Sequence, residues 1–264
     1  MRVILCVFGL SLVAQTAAAG SMRVVATTSD LASLAHAVTG DLAQVETIIP
    51  PAADPEAFEP RPSDFAKLKG ASIVIRIGLG YDHWLDKLLS MHGDAAVNRG
   101  PANAETISGG IAEAGIRLAP EMAGKLIANR DGFLSRLKAS LMEWERLLAP
   151  HRGARLIAYH NTWPYFARRF RLNIVDVIEV KEGVAPSPAR LAKLAAIIRE
   201  QKIRVIVHEP FEPEEASQLL ARRTGAVIVK LAPSVGSMPA ATSYLALFDY
   251  NVGTLAQALS AASN

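Results

Sequence analysis

Cysteine is almost missing from this chain: among 264 residues there is one, Cys6, inside an N-terminal apolar run. The residues beyond that run can form neither disulfides nor thiolate metal sites. Any metal ion would have to be held by His, Asp, Glu or water, which favours a borderline or hard divalent ion over a thiophilic one. Long apolar runs are scarce as well. Val3–Ala14 falls short of the roughly 20 residues a spanning helix needs. Charge of one sign is not concentrated anywhere. The formal net charge is +3, and the pairs Arg168-Arg169 and Arg222-Arg223 lie among acids, so no basic stripe for nucleic acid is expected. There is no Gly-x-Ser-x-Gly elbow, phosphate loop, dinucleotide motif or His-Glu-x-x-His. These absences argue against the common hydrolase and nucleotide-dependent enzyme classes.

What is present begins with an export signal over residues 1–19. Arg2 forms the basic start, Val3–Ala14 the apolar stretch and Ala17-Ala18-Ala19 a small-residue cleavage site. Cys6 comes too early for a lipoprotein cleavage site, where it would end the apolar run. About 245 residues then remain, enough for one large or two medium domains. Half of the residues are apolar and a fifth are charged, so a sizeable core is expected.

Short apolar runs rich in β-branched residues read as strands buried on both faces. They are Arg23–Thr27, Gln44–Ile49 and Ser72–Ile77 near the front, then Arg155–Tyr159, Asn173–Ile178, Arg204–Val207 and Ala226–Leu231. Helices fall between them: Asp30–Val38 after Ser29 as cap, Asp64–Lys69 after Ser63, Ala189–Glu200 after Ser187-Pro188, and Glu214–Thr224 closed by Gly225. The middle lacks strand signals. From Glu121 to Leu148, apolar residues recur at Leu126, Phe133, Leu137, Leu141, Trp144 and Leu148, a helical rhythm spanning about 42 Å. Pro150 ends it. Residues 92–110 read as a surface loop. The expected fold class is α/β: two lobes, each with a mostly parallel sheet flanked by helices, joined by one long backbone helix. The expected boundaries are 20–118 for the first lobe, 119–150 for the linking helix and 151–264 for the second lobe.

Two motifs sit just beyond predicted strands, where open α/β sheets place ligands. They are Asp54-Pro55-Glu56-Ala57-Phe58-Glu59-Pro60 and Tyr159-His160-Asn161-Thr162-Trp163-Pro164-Tyr165-Phe166. With Val24–Thr28, Pro62-Ser63-Asp64, Trp84-Leu85, Pro186-Ser187-Pro188, Glu209-Pro210 and Leu245–Asn251, the chain resembles the zinc/manganese-type (cluster A-I) substrate-binding proteins of bacterial metal ABC importers. The resemblance runs from Arg23 to the C-terminus. It implies two α/β lobes bridged by a backbone helix, and a divalent metal held between them by histidines and a carboxylate.

Carried over position by position, the family's ligands meet this chain unevenly. The first, normally histidine, falls on Glu56, whose carboxylate suits zinc or manganese. The second falls near Gly115, before Leu118-Ala119-Pro120, and Gly115 has no donor. The third is matched by His160. The fourth, an acid, falls around Ser234-Val235. Glu209, Asp249 and His83 are candidate replacements, with Glu212 also near in sequence. The plainer alternatives are a hydrogen-bonded cleft histidine for His160, a loop acid capping an amide for Glu56, and a structural hydrogen bond for Glu209. His36, His92 and His151 read as surface or core histidines, and His208 as facing away from Glu209. Trp163, Tyr165 and Phe166 read as core, or as the wall of an apolar pocket.

The resemblance implies a periplasmic, monomeric receptor that carries Zn2+ or Mn2+ as transported ligand to an ABC permease in the inner membrane. It is not expected to be an enzyme. With two ligand positions empty, two alternatives stay open: the same fold with a degenerate site taking a metal chelate or small organic solute, and a cleft enzyme such as a chelatase, where a His and a Glu exchange protons with substrate.

Overall fold

The structure, a computed structural model, describes residues 22–51, 53, 58–78, 81–86, 96–98, 104–181 and 183–263. The proposed export signal, Cys6, Glu56 and His92 lie outside the described residues. The chain alternates strand and helix in two blocks. In the first, β1 (Met22–Ala26), β2 (Ala43–Thr47), β3 (Ile73–Arg76) and β4 (Ala96–Asn98) form a parallel sheet in the order β2-β1-β3-β4. In the second, β5 (Arg155–Ala158), β6 (Asn173–Val177), β7 (Val205–His208) and β8 (Val227–Lys230) repeat it as β6-β5-β7-β8, again parallel. All seven predicted strands are found within one or two residues of their expected ends, and β4 is additional.

The helices follow from local chemistry. Helix α1 (Ser29–Thr39) is capped by Thr28, one residue earlier than expected, whose hydroxyl accepts from the Leu31 amide at 3.5 Å. Thr28 is extended, as a cap must be, while Ser29 is already helical. Helix α2 (Pro62–Ala66) starts at Pro62 rather than after Ser63, with Asp64 accepting from the Arg61 amide at 2.9 Å. Helix α3 (Ala104–Leu118) occupies part of the stretch expected to be a loop. Helix α4 (Ala123–Leu148) is the predicted spine, unbroken at Gly132. Four shorter or later helices complete the chain: α5 (Pro164–Phe170), α6 (Pro188–Glu200), α7 (Glu215–Thr224) and α8 (Tyr244–Ser263). Ser187 caps α6, accepting from the Arg190 amide at 3.2 Å. Among the described residues no helix is long and apolar enough to cross a membrane.

The spine joins two separate cores. Leu126 and Phe133, from its first half, pack with Val24, Leu34, Ile75 and Ile111 of the first lobe. Trp144 and Leu148, two turns and more beyond, pack with Leu156, Val205, Val207 and Leu255 of the second. Leu137 touches both. The last helix does the same work in parallel: Tyr244 and Leu245 reach the first core, while Val252, Leu255 and Leu259 sit in the second.

Polar contacts tie the lobes directly as well. The Val235 amide donates to Asp30 Oδ1 at 2.8 Å, and Ser234 Oγ donates to the Pro51 carbonyl at 2.7 Å. The Tyr244 amide donates to Ser33 Oγ at 2.9 Å. Gly236, at φ +82°, lies so near that a Cβ there would stand 3.0 Å from Pro51 Cβ. The loop after β8 is thus clamped onto the start of α1.

Candidate functional site

Both sheets reverse strand order beside their first strand. Crevices therefore open at the carboxyl ends of β1 and β5, the general position of ligand sites in such sheets. The two crevices face one cleft of about 530 Å3. Thr28, Asp30, Ile77 and Tyr81 come from the first lobe, and His160, Thr162, Phe211 and Glu212 from the second.

His160 lies two residues beyond the end of β5. Its Nδ1 lies 2.9 Å from Glu179 Oε2, and Glu179, just after β6, is 6% exposed. A carboxylate can only accept from the ring, so in the neutral imidazole Nδ1 carries the proton and Nε2 the lone pair. A buried acid behind an imidazole is the usual way a metal-ligating histidine is oriented and made more basic. Sequence reading did not find Glu179. The only signal is an acid directly after a predicted strand, which is common in loops.

Glu209 follows β7, the neighbour of β5, and is fully buried. Its Oε1 accepts from the Trp163 indole at 2.7 Å, while Oε2 is buried without a hydrogen-bond partner among the described residues. Burial pushes its carboxyl above the usual range, offset in part by Thr162, Trp163 and the nearby His160. Glu209 is not among the residues lining the cleft, whereas His160 is. Glu212, which does line it, stands at its edge beside Phe211.

Neither Asp249 nor His83 is among the residues lining the cleft. Asp249, on α8, accepts from the Trp144 indole at 2.7 Å and so joins α8 to the spine. His83 is exposed, in a short 3-10 turn at His83–Leu85. That turn hangs from Asp82, a fully buried acid. Asp82 accepts from Thr27 Oγ1 at 2.9 Å, from the amides of Ile77 and Gly78 at 2.7 and 2.9 Å, and from Arg76. The network sets Tyr81 in the cleft wall. His208 is fully buried between Ser217 and the Glu212 carbonyl, and burial lowers its pKa. His151 meets Ser260 at 3.2 Å.

Neither unmatched position carries an imidazole or a carboxylate, although Ser234 lines the cleft. A side chain at Gly115 would meet Leu126 Cδ1 at 2.9 Å with Met22 behind it, so that position faces the first core. The Ser234-Val235 segment is spent on the interlobe clamp described above. Asp30, which sequence reading treated only as a helix-start acid, is the notable carboxylate of the first lobe's described wall. Burial pushes its pKa from 3.8 up to about 6, against the pull of the Val235 amide. Among the described residues no three His, Cys, Asp or Glu side chains converge as a metal site.

This architecture can be compared with known proteins. The family model for the periplasmic zinc-uptake complex component A (ZnuA) matches residues 24–100 and 92–258. The chain belongs to this family. The family is one of metal-binding transport receptors, not of enzymes. The chain is 22% identical over 272 residues to the iron-binding protein YfeA of Yersinia pestis, with 90% of this chain and 86% of that protein covered. It is 21% identical over 269 residues to the manganese-binding lipoprotein MntA of Halalkalibacterium halodurans, covering 90% and 89%. A crystal structure of ZnuA matches with a TM-score of 0.78 at 23% identity, over 90% of this chain and 98% of that one. The last likeness is one of fold: two parallel-sheet lobes on a helical spine.

Proposed function

We propose that the chain is a periplasmic receptor that captures a divalent transition metal, zinc or manganese, in the interlobe cleft and delivers it as a monomer to an ABC permease of the inner membrane. The observation that carries this is His160 at the mouth of β5, held by buried Glu179 in the tautomer that offers Nε2 as donor. Glu209, with one oxygen unpartnered and His160 nearby, is the second donor of this reading. Glu56 is the third. It enters this reading as the position that the resemblance assigns to the family's first ligand. His83 and Asp249 have no part in it: the first is exposed on its turn and the second is engaged by Trp144. Residues 1–19 would direct export and be removed.

A site with few protein donors leaves coordination positions to water, so affinity should fall below that of a closed four-ligand site. The family and relatives named for zinc, iron and manganese support a transition metal as cargo without singling out one. Calorimetric titration of the metal-stripped mature chain with zinc and manganese tests the reading. His160→Ala should weaken binding at least tenfold. No heat with any first-row divalent ion would overturn it.

A further inference from the structure

The end of the second lobe opposite the cleft is where the fold gathers positive charge. Every strand of that sheet is entered beside a cation. Arg155 is the first residue of β5, Arg171 stands two residues before β6, Arg204 immediately precedes β7, and Arg222-Arg223 close α7 ahead of β8. The register sets Leu156 against Val205, so Arg155 and Arg204 lie side by side on neighbouring strands, with backbones about 4.8 Å apart. The Val227 amide donates to the Arg204 carbonyl at 2.9 Å, which brings the start of β8 to the same edge. Arg199, in the last turn of α6, donates to the Arg223 carbonyl at 3.0 Å, and Arg152 and Arg171 border one hollow with Arg169. Lys202 lies in the turn between α6 and β7. Arg169 is paired with Glu145 at 2.6 Å. The other eight cations are exposed, and none forms an ion pair among the described residues.

Glu200 is the only acid in the segments 150–156, 171–173, 198–205 and 221–227 that build this edge. The local excess is larger than the whole chain's formal net charge of +3, so the remainder is net negative. Scattered over four segments, these cations form no run in the sequence; folding assembles them. Helix ends account for part of the pattern, since Arg199 and Arg222-Arg223 sit in last turns, where the backbone favours a positive charge. Each helix end offsets only about half a charge, however, and the other five cations lie outside helices. Like charges held side by side without partners cost stability, so the cluster points to an anion that it meets. The same segments hold no Phe, Trp or Tyr, the stacking groups that single-stranded nucleic acid uses. They spread over a sheet edge and two helix ends, a breadth that suits a plane of phosphates, and clusters of about four to eight basic groups are the mark of anionic-lipid surfaces. Resting on the export half of the reading above, we propose that this pole docks the receptor peripherally on the anionic phospholipid face of a bilayer. The cleft, at the opposite ends of the same strands, would then stay turned to water.

The probes are vesicles of equal parts phosphatidylglycerol and phosphatidylcholine, and vesicles of phosphatidylcholine alone, each sedimented with the mature chain. At ~0.1 M salt the chain is expected to bind the mixed vesicles at least tenfold more tightly than the neutral ones. Binding should vanish at ~1 M salt, where the Debye length falls from about 10 Å to about 3 Å. The triple variant Arg155→Glu, Arg204→Glu, Arg223→Glu should lose the preference. A control triple of exposed spine cations, Lys125→Glu, Arg136→Glu, Lys138→Glu, makes the same change in net charge and should keep it. Circular dichroism checks folding, and calorimetry should give one zinc affinity for the parent and both variants. Glutamine at the three pole positions should weaken vesicle binding at least threefold, which keeps the test decisive should the glutamates unfold the chain. Equal binding to both vesicles, binding that survives ~1 M salt, or equal loss in the two triple variants would overturn the inference. So would displacement from the vesicles by an oligonucleotide at matched charge, which would assign the pole to nucleic acid. Failure at the vesicles leaves the receptor reading standing on zinc binding and its loss in His160→Ala, and failure to bind zinc removes that reading while the vesicle result stands.

Discussion

Asp30 gives the sharpest quantitative test of the clamp between the lobes. It lies in the first turn of α1 and lines the cleft, and its Oδ1 accepts from the Val235 amide of the other lobe at 2.8 Å. Burial raises its pKa from 3.8 to about 6, so the folded protein holds this proton more tightly than the unfolded chain does. The sign follows directly. Whatever Asp30 contributes is fully present below pH ~4 and is lost as pH rises through about 6. A shift of two units corresponds to ~3 kcal/mol. Because the side chain is only half-buried and borders an open cleft, solvent screening reduces the expectation to roughly 1–2 kcal/mol. Asp30→Asn keeps an oxygen for the Val235 amide and removes the charge. Urea unfolding of the variant and the parent across pH 4 to 8 should therefore diverge. The variant should be the more stable by roughly 1–2 kcal/mol at pH 8, with the gap closing towards pH 4. In thermal melts this is a few degrees for a chain of this size. A gap that is independent of pH, or a parent that is more stable at pH 8, would show that the amide and not burial governs this carboxyl, and the reasoning would fail.

Three further outcomes follow from the geometry. Glu179→Gln should weaken zinc binding by roughly 10–100-fold without unfolding the chain, because the imidazole loses its carboxylate orienter; calorimetry beside circular dichroism checks this, and unchanged affinity would remove Glu179 from the site. Gly115→His should not restore a ligand: with Leu126 Cδ1 2.9 Å from the new Cβ, it should cost about 1–3 kcal/mol in urea unfolding and leave zinc affinity no higher than before. Trp163→Phe should take the indole donor from Glu209 Oε1 in a fully buried site, destabilising the fold by about 1–3 kcal/mol at neutral pH; a neutral result would mean that the carboxyl is already relaxed by water.

Much of the architecture could be read from the sequence because each block obeys one simple rule. Strands buried on both faces read as continuous runs of Val and Ile, and β1, β3, β5 and β7 are of this kind, so their positions were found within a residue or two. The spine was legible because its apolar stripe keeps one period from Leu126 to Leu148, even though its two halves serve different cores. Helix α3 was not, since Gly109, Gly110 and Gly115 dilute its propensity. The Ile107, Ile111 and Ala114 spacing that buries it is clear only in retrospect. Helix α8 was missed for a different reason. It packs on both cores and on the spine, so it lacks the polar face that makes a helix periodic. The candidate site was half legible. His160 was found from its motif and position after a strand. Glu179 and Asp30 gain their roles from burial and from partners 19 and 205 residues away in sequence, information no local pattern carries.

The two sheets share one strand order, yet the residues do not repeat. At the end of β1 the chain places Thr27-Thr28 and then the helix with Asp30, and at the end of β5 it places Tyr159-His160. One crevice is lined by hydroxyls and a carboxyl raised towards neutrality, and the other by an imidazole braced by an acid. The fold thus brings two unlike half-sites together at equivalent points, and the spine and the clamp at Val235 hold them there. Both α4 and α8 cross between the cores, so two packed helices and not a flexible strand join the half-sites. The architecture fixes where the half-sites meet, and the few residues at the strand ends fix their chemistry, so the two can vary independently.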